Sequence, residues 1–297
     1  MVAGLQAAMD EDIAALTWMS AATKQQAIIK LRALEIKVGY PEKWRDYSTM
    51  RIDRQGWADN AFRASEFEHQ RRIQRIGKPA DRDDWYITTP TPDAYNSVQQ
   101  NRVVVPAGFL GPPFFDRNID DAVNFGGAGA GIGHELAHAF DDHGREYDAK
   151  GSLRNWWTQR DSNLFKKSAE CVSKQYSEYV AVDDVKVNGE MTLGENLADA
   201  VGLRIAYEAL EKSLANRREK AAKIDGLTPE QRFFLSYALQ WCGSVRPEMV
   251  RKSASNNPHS PPKYRVNGVV SNMPEFQHAF GCKRGQPMVR DNVCRVW

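Results

Sequence analysis

Two histidines separated by three residues form the strongest chemical signal in this chain of 297 residues. His134 and His138 flank Glu135 in an HExxH motif within a helical stretch. Residues four apart lie on one face of a helix, so the two imidazoles can bind one zinc ion. Glu135 can reach a water molecule at that ion. HExxH also occurs by chance as two ordinary surface or core histidines, so a third ligand has to decide.

A metzincin motif would need glycine at position 141 and histidine at 144. The chain has Asp141 and Gly144 there, which excludes that class. His143 is one residue out of register, and we expect it not to bind metal. Downstream, Glu195 begins an ExxxD pair with Asp199, which lies four residues later on the same helix face. Glu195 therefore completes a His/His/Glu site with an open fourth position.

Two aspartates can position the histidine rings at such a site. Asp141 and Asp199 can accept the outward ring N–H groups of the histidines, which sets their tautomer and orientation. An ExxxD pair can also be an exposed helix face, but here it follows an HExxH motif. The residues alone therefore predict one zinc ion per chain, held by His134, His138 and Glu195.

Helical periodicity dominates the elements that must position these residues. Apolar spacing from Leu5 to Val38 predicts two helices with Ser20 as the cap between them. A short strand is expected over Arg102 to Pro106. The expected fold class is mainly α with a small β-sheet, and the lack of repeats or compositional breaks favours one domain over 1–297. Further helices are predicted over 57–76, 121–140, 155–180, 193–214, 229–242 and 274–280.

Composition and charge exclude little but favour no polyanionic partner. The 40 basic and 38 acidic residues leave a net charge of +2, which gives no electrostatic reason for a nucleic acid or an anionic membrane surface as partner. We expect no nucleic-acid partner. The basic face of the helix over 57–76 is interpreted as solvated. The sequence contains no run of 18 apolar residues, so we expect no membrane span in this chain. The acidic residues from Asp10 to Asp12 lie where a signal peptide would be apolar, so we expect no signal peptide in it.

A series of collinear motifs extends from about residue 10 to the C-terminus. Together they resemble the neprilysin and endothelin-converting-enzyme family of zinc metallopeptidases, whose catalytic domain is thermolysin-like, of the gluzincin class. The motifs are Leu16-Thr17-Trp18-Met19, Val105-Pro106-Ala107-Gly108, Pro112-Pro113-Phe114-Phe115, Gly133-His134-Glu135, Phe140-Asp141-Asp142, Trp156-Trp157-Thr158, Gly194-Glu195-Asn196, Trp241-Cys242-Gly243, His259-Ser260-Pro261 and Cys294-Arg295-Val296-Trp297.

This resemblance implies a zinc-dependent endopeptidase that hydrolyses peptides on the amino side of large hydrophobic residues. Glu135 would be the general base. The resemblance also implies that the chain is only a C-terminal catalytic portion, without the N-terminal cap that encloses the family's cleft. We therefore expect a more exposed cleft with reduced turnover. The full-length protein would be extracytoplasmic: periplasmic, secreted or a membrane-anchored ectodomain.

The resemblance agrees with the zinc ligands and with Asp141 and Asp199, and it adds two site residues. His259 would stabilise the oxyanion and Arg265 would bind a substrate carbonyl, although by themselves they suggest a loop histidine and a surface charge. The family's Asn-Ala-Tyr or Asn-Ala-Phe segment, which binds the substrate backbone, is Asp93-Ala94-Tyr95 here. An ionised carboxylate only accepts, so Asp93 departs from the family, whereas Ala94 should still offer its carbonyl.

A pocket for the residue after the scissile bond is also implied by the resemblance. Its aromatic lining favours a large apolar side chain, and its smaller or more polar members predict a wider pocket than is usual in the family. Without the resemblance, ordinary core packing of the aromatic residues is equally expected. The predicted lining is Phe109, Phe114, Ala130, Gly131, Gln240 and Trp241.

Four cysteines permit disulfides without requiring them. The resemblance pairs Cys171 with Cys294, which would mark an oxidising compartment. Cys242 and Cys282 resemble positions whose partners lie in the N-terminal portion. They are expected to be either free or bonded to each other.

Two other functions stay open on the sequence. A zinc-retaining but catalytically impaired fragment could act as a peptide-binding module, an alternative favoured by Asp93 and the missing cap. Zinc-dependent hydrolysis of a non-peptide amide would keep the metal and lose peptide cleavage.

Overall fold

The computed structural model describes residues 1–79, 81, 83–217 and 223–297. Contacts between Cα atoms divide it into two compact units. The larger comprises Met1–Gly39 and Thr89–Trp297, and the smaller comprises Tyr40–Thr88. One domain over the whole chain stays a prediction.

Helices are the main regular structure of the described chain, which confirms the mainly α fold class. Predicted helices form near their expected positions, and two further ones, over Pro247–Ala254 and Pro262–Val270, were not predicted. Ser20 caps the helix Ala21–Ala33 as expected, because its side chain accepts from the Thr23 amide. The helices are α1 (Val2–Ala15), α2 (Ala21–Ala33), α3 (Trp57–Ile73), α4 (Asp121–Asn124), α5 (Ala130–Ala137), α6 (Gln159–Ser177), α7 (Leu193–Arg217), α8 (Pro229–Gln240), α9 (Pro247–Ala254), α10 (Pro262–Val270) and α11 (Pro274–Phe280).

Two small sheets accompany the helices. In the larger sheet, the central β3 (Arg102–Pro106) pairs in parallel with β1 (Glu35–Gly39) and antiparallel with β2 (Tyr95–Ser97). The second sheet is a hairpin of β4 (Val180–Val182) and β5 (Val185–Lys186). Among the described residues, none of the helices combines the length and the apolar character that a membrane-spanning segment requires.

The expectation that the helical hairpin continues to Val38 was wrong. Helix α2 ends at Ala33, and the next residues pair with β3, with Ile36 opposite Val103. The Glu35 carboxylate accepts two hydrogen bonds, of 2.6 and 2.8 Å, from the buried Arg102 guanidinium. Pairing with a distant strand therefore overrides the local helical spacing.

The predicted helix over 121–140 is interrupted. A π-helical turn, Phe125–Gly129, separates α4 from α5, which ends at Ala137. The Ala128 amide donates to the Phe114 carbonyl at 2.8 Å, outside the helix. Such π turns are frequent at functional sites, and this one immediately precedes the helix that carries the HExxH motif.

Helices α5 and α7 cross at two glycines. A Cβ on Gly133 would lie 2.6 Å from the Gly202 carbonyl oxygen, and a Cβ on Gly202 would lie 2.3 Å from the His134 amide nitrogen. Only glycine permits so close an approach of two backbones. The crossing brings the HExxH face of α5 next to the first turns of α7, which hold Glu195 and Asp199.

Long-range contacts hold the N-terminal and C-terminal segments of the larger unit against its core. The buried Asp161 at the start of α6 accepts hydrogen bonds from the Ser20 hydroxyl and from Thr23 Oγ1, the latter at 2.6 Å. A disulfide joins Cys171 to Cys294, as predicted. The other two cysteines are free thiols. The C-terminal Trp297 ring packs against four aromatic rings, those of Trp18, Phe140, Trp157 and Phe165.

The smaller unit is built around α3 and a group of ion pairs. Asp84 accepts from Arg45 at 2.9 Å and from Arg71 at 3.1 Å, and it also pairs with Arg75. Glu68 binds the same Arg45 and Arg71 side chains. Part of the predicted basic face is therefore engaged in internal ion pairs.

Candidate metal centre

Three donor atoms converge where α5 meets α7. His134 Nε2 lies 2.9 Å from His138 Nε2 and 3.2 Å from Glu195 Oε2. His138 Nε2 lies 3.7 Å from the same carboxylate oxygen. One ligand atom from each of the three residues lies within 4.8 Å of the other two. All three side chains are largely buried.

The partners of the opposite ring nitrogens determine what these Nε2 atoms can do. His134 Nδ1 lies 2.8 Å from Asp199 Oδ1, and His138 Nδ1 lies 2.6 Å from Asp141 Oδ2. An ionised carboxylate only accepts, so the Nδ1 atom of each ring carries a proton. Both Nε2 atoms then face each other and the Glu195 carboxylate. Two imidazole nitrogens and one carboxylate oxygen are a donor set that fits zinc.

Asp141 is itself held by the turn that follows α5. Its Oδ1 accepts from the backbone amides of His143 and Gly144, at 2.9 and 2.6 Å. The other carboxylate oxygen of Asp141, Oδ2, binds His138 Nδ1. His143 thus contributes its backbone amide to this arrangement, and the His143 ring packs against Tyr147.

Asp199 is shared between a histidine and an arginine. The Arg265 guanidinium donates from Nε to Oδ2 and from Nη2 to Oδ1 of Asp199, both at 2.6 Å. Burial opposes the ionisation of Asp199, but Arg265 and His134 together hold the pKa of this carboxyl below its usual range. The guanidinium also stacks on the Trp241 ring, 3.9 Å from its centroid. Arg265 is therefore a fixed, buried charge, although the residue alone suggested a surface one.

Glu135 lies on the same helix between the two histidines and is 9% exposed. Burial raises the pKa of its carboxyl above the ordinary value. The Asn96 side chain donates to the Glu135 backbone carbonyl at 2.8 Å, which attaches this helix to the edge strand β2. A carboxylate with a raised pKa is suited to accept a proton near neutral pH.

His259 approaches the centre from the loop before α10. Its Nε2 lies 3.2 Å from Glu195 Oε2, whereas its Nδ1 lies 2.9 Å from Asn257 Oδ1. An amide oxygen accepts, so Nδ1 carries a proton and Nε2 faces the converging donors. The loop is anchored next to Glu195, because the buried Ser260 hydroxyl donates to Asn196 Oδ1 at 2.8 Å.

The segment expected to bind a substrate backbone leads into the edge strand β2. Asp93 is exposed, and its Oδ1 accepts from the Ala94 amide at 2.9 Å. The charge of Asp93 contributes to the raised pKa of Glu135, so the two carboxylates share one electrostatic environment. Only β3 pairs with β2 in the described chain, so β2 is an edge strand of this sheet, the kind of position at which an extended peptide can add a strand.

The predicted pocket residues form two groups around the site. Phe109 and Phe114 stack with centroids 4.7 Å apart, and a Cβ on Gly131 would lie 2.6 Å from the Phe109 ring. Gly131 therefore makes room for this aromatic pair against α5. Trp241 belongs to the Arg265 group. Of the remaining two, Ala130 is buried and Gln240 donates to the Gly126 carbonyl at 2.8 Å.

Several contacts at the site were not expected from the sequence. Asn257 binds the His259 side chain, Asn96 binds the Glu135 backbone, and Ser260 with Asn196 joins the loop before α10 to the first turn of α7. No sequence spacing reveals them, because each pair joins separate elements or depends on the local shape of a loop. Asn257 is the partial exception, since an Asx residue two positions before a loop histidine is a common turn former.

Comparisons with known proteins identify relatives of the whole chain. A family model described as "Peptidase family M13" matches residues 93–296, and a second model with the same description matches residues 1–41. Endothelin-converting enzyme 1 of Homo sapiens is 39% identical over 304 residues, which are 99% of this chain and 39% of the relative. Neprilysin-3 of Drosophila melanogaster is 36% identical over 100% of this chain and 39% of its own length.

Solved structures agree with these relatives. The Mycobacterium tuberculosis zinc metalloprotease ZMP1, solved with an inhibitor, matches with a TM-score of 0.92 and 41% identity, over 100% of this chain and 46% of that one. PepO from Lactobacillus rhamnosis matches with a TM-score of 0.86 and 31% identity, over 98% and 44%. The chain therefore spans less than half the length of the proteins that it matches.

Proposed function

This chain belongs to peptidase family M13, and on that premise we propose that it is a zinc-dependent endopeptidase. Membership confirms the family resemblance seen in the motifs and the thermolysin-like fold class. The proposed substrates are peptides, cut on the amino side of large hydrophobic residues. His134, His138 and Glu195 would hold one zinc ion.

One observation carries this proposal. Two imidazole nitrogens and a carboxylate oxygen converge next to a second buried carboxylate, Glu135, whose pKa is raised above its ordinary value. A bound zinc ion would act as a Lewis acid and lower the pKa of a water molecule toward 7. A metal site of purely structural use would need neither the adjacent base nor an open ligand position.

The chain's own residues then divide the proton transfer and charge stabilisation. Glu135 accepts a proton from the attacking water and returns it to the leaving amine. His259, with a second proton on Nε2, donates to the oxyanion that develops on the scissile carbonyl. Asp199 keeps His134 in the required tautomer and fixes Arg265, which would donate to a substrate carbonyl.

Substrate binding would use the edge strand β2 and the aromatic pair. Ala94 would pair with the substrate backbone through its carbonyl, and Phe109 with Phe114 would contact a large apolar side chain. The Cys171–Cys294 disulfide supports an oxidising, extracytoplasmic compartment for the full-length protein.

A cleavage assay tests the proposed activity. Purified protein is incubated with a quenched peptide that carries a central Phe or Leu, with and without a chelator, and the cut bonds are identified by mass spectrometry. We expect chelator-sensitive cleavage before Phe or Leu. Zinc is counted in the same preparation. A preparation with one zinc ion per chain and no cleavage of any peptide would contradict the proposal.

A further inference from the structure

A buried lysine from α2 lies under the loop that follows the HExxH helix. Lys30 is 1% exposed. Its Nζ donates to the carbonyl oxygens of Ala139 and Gly144, both at 2.6 Å, and to that of Tyr147 at 2.7 Å. An ammonium group has three donor hydrogens, so these three acceptors match its full capacity.

The three carbonyls belong to the segment that carries Asp141. Ala139 directly follows His138, and Gly144 supplies a backbone amide that binds Asp141 Oδ1. Lys30 therefore fastens this turn on both sides of Asp141, whose other oxygen binds His138 Nδ1 at 2.6 Å. The side chain itself touches neither histidine nor Glu195 in the contacts of the described chain.

The Lys30 ammonium lies near two aromatic rings and is shielded from solvent. Its ammonium lies 5.4 Å from the Phe140 ring centroid and 5.9 Å from that of Trp156. Burial lowers the pKa of Lys30 to about 7, and the charges of Asp141 and Asp148 oppose this shift. A buried lysine is costly unless its donors are satisfied, and here backbone carbonyls alone provide the hydrogen bonds.

We propose that Lys30 is a positioning residue of the metal centre: by binding three carbonyls of the 139–147 turn, it holds Asp141 where it orients His138. This inference rests on the proposed zinc site and adds to it a residue from the N-terminal helical hairpin. Because Lys30 acts through Asp141, its effect on zinc affinity should depend on the presence of Asp141.

The experiment measures the zinc dissociation constant of the full chain by competition with a chromophoric chelator. Lys30→Met keeps a similar length but removes all three hydrogen bonds from Lys30 to this turn, and we expect zinc to bind about 10- to 100-fold more weakly. Lys24 lies in the same helix and donates to one carbonyl, that of Ala14 at 2.7 Å. Lys24→Met is the matched control and should bind zinc within about twofold of wild type.

A double variant separates positioning from general loosening of the fold. In an Asp141→Ala background, Lys30→Met should weaken zinc binding by less than about twofold, because the residue through which it acts is gone. Circular dichroism verifies that each variant is folded. If Lys30→Met does not fold, Lys30→Gln, which keeps two donor hydrogens, replaces it, and a smaller loss of affinity is expected.

Wild-type zinc affinity in a folded Lys30→Met or Lys30→Gln protein would overturn the inference. So would an undiminished loss in the Asp141→Ala background. Tight zinc binding without peptide cleavage by the wild type would contradict the proposed activity while the affinity comparison still decides the role of Lys30. A wild type without zinc affinity would overturn both.

Discussion

The Nε2 atoms of His134 and His138 face each other at 2.9 Å, while the Nδ1 atom of each ring binds an aspartate. Asp199 binds the His134 ring and Asp141 binds the His138 ring, so that both Nε2 atoms face the Glu195 carboxylate. The proposed metal ligands are therefore positioned by separate side chains, and each can be tested by its own substitution.

Glu135→Gln should reduce peptide cleavage by about 100- to 10,000-fold, because an amide cannot accept the proton of the attacking water. Zinc affinity should stay within a few-fold of wild type, since Glu135 is not a proposed ligand. Cleavage of the quenched peptide and the zinc content of the same sample are measured together. More than a few per cent of wild-type activity would refute the assigned role.

Zinc should stabilise the fold by binding its three proposed ligands, His134, His138 and Glu195. At a free concentration about 100 times the dissociation constant, binding adds about 2.7 kcal/mol to the free energy of unfolding, which raises the melting temperature by about 5–10 °C. Removal of zinc with a chelator should reverse this shift. Glu195→Ala should melt at the same temperature with and without zinc, and a persistent shift in that variant would exclude Glu195 as a ligand.

Asp199→Ala should lower the free energy of unfolding by about 3–5 kcal/mol, because the buried Arg265 guanidinium loses its partner. Zinc affinity should fall about 10- to 100-fold, because His134 loses its orienting carboxylate. The double variant with Arg265→Met should recover much of the stability but none of the zinc affinity. Urea denaturation measures the free energy of unfolding, and competition with a chelator measures the zinc affinity. Recovery of the zinc affinity together with the stability in the double variant would contradict the separate roles of His134 and Arg265 as partners of Asp199.

The disulfide between Cys171 and Cys294 joins positions 123 residues apart. Replacing both cysteines with serine should lower the free energy of unfolding by about 2–5 kcal/mol. Cys242→Ser is the control, because this exposed thiol is free and its replacement should change stability by less than about 0.5 kcal/mol. An equal effect of the two changes would argue against a structural role of the disulfide.

Asp161 should make the stability of the fold depend on pH. Burial opposes its ionisation, but the hydrogen bonds from Ser20, Thr23 and Thr158 hold the pKa of its carboxyl below the ordinary value. A depressed pKa stabilises the fold above the unfolded value, near 4, and this contribution is lost as pH falls through the folded pKa. The difference in unfolding free energy between wild type and Asp161→Asn should therefore shrink below about pH 4. A constant difference down to pH 2 would contradict this.

Local chemistry made much of the site predictable. HExxH places His134, Glu135 and His138 by helical geometry alone, and the ExxxD spacing places Glu195 and Asp199 on one face of their helix. The limits of prediction are seen at Glu35–Gly39, where helical spacing was misleading because the segment is stabilised by pairing with β3. Asn257 and Lys30 could not be assigned from spacing, because their partners are set by loop geometry or lie about a hundred residues away.

Residue types and their spacing were enough to recognise the family and to predict the metal ligands and the general base. These properties follow from residue type and from spacing within single helices. The contacts of Arg265 with Asp199, of Asn257 with His259 and of Lys30 with the turn around Asp141 became visible only in the folded chain. Such contacts depend on how elements distant in sequence pack together and on the path of their loops, and the Gly133–Gly202 crossing sets that packing at the centre of the site.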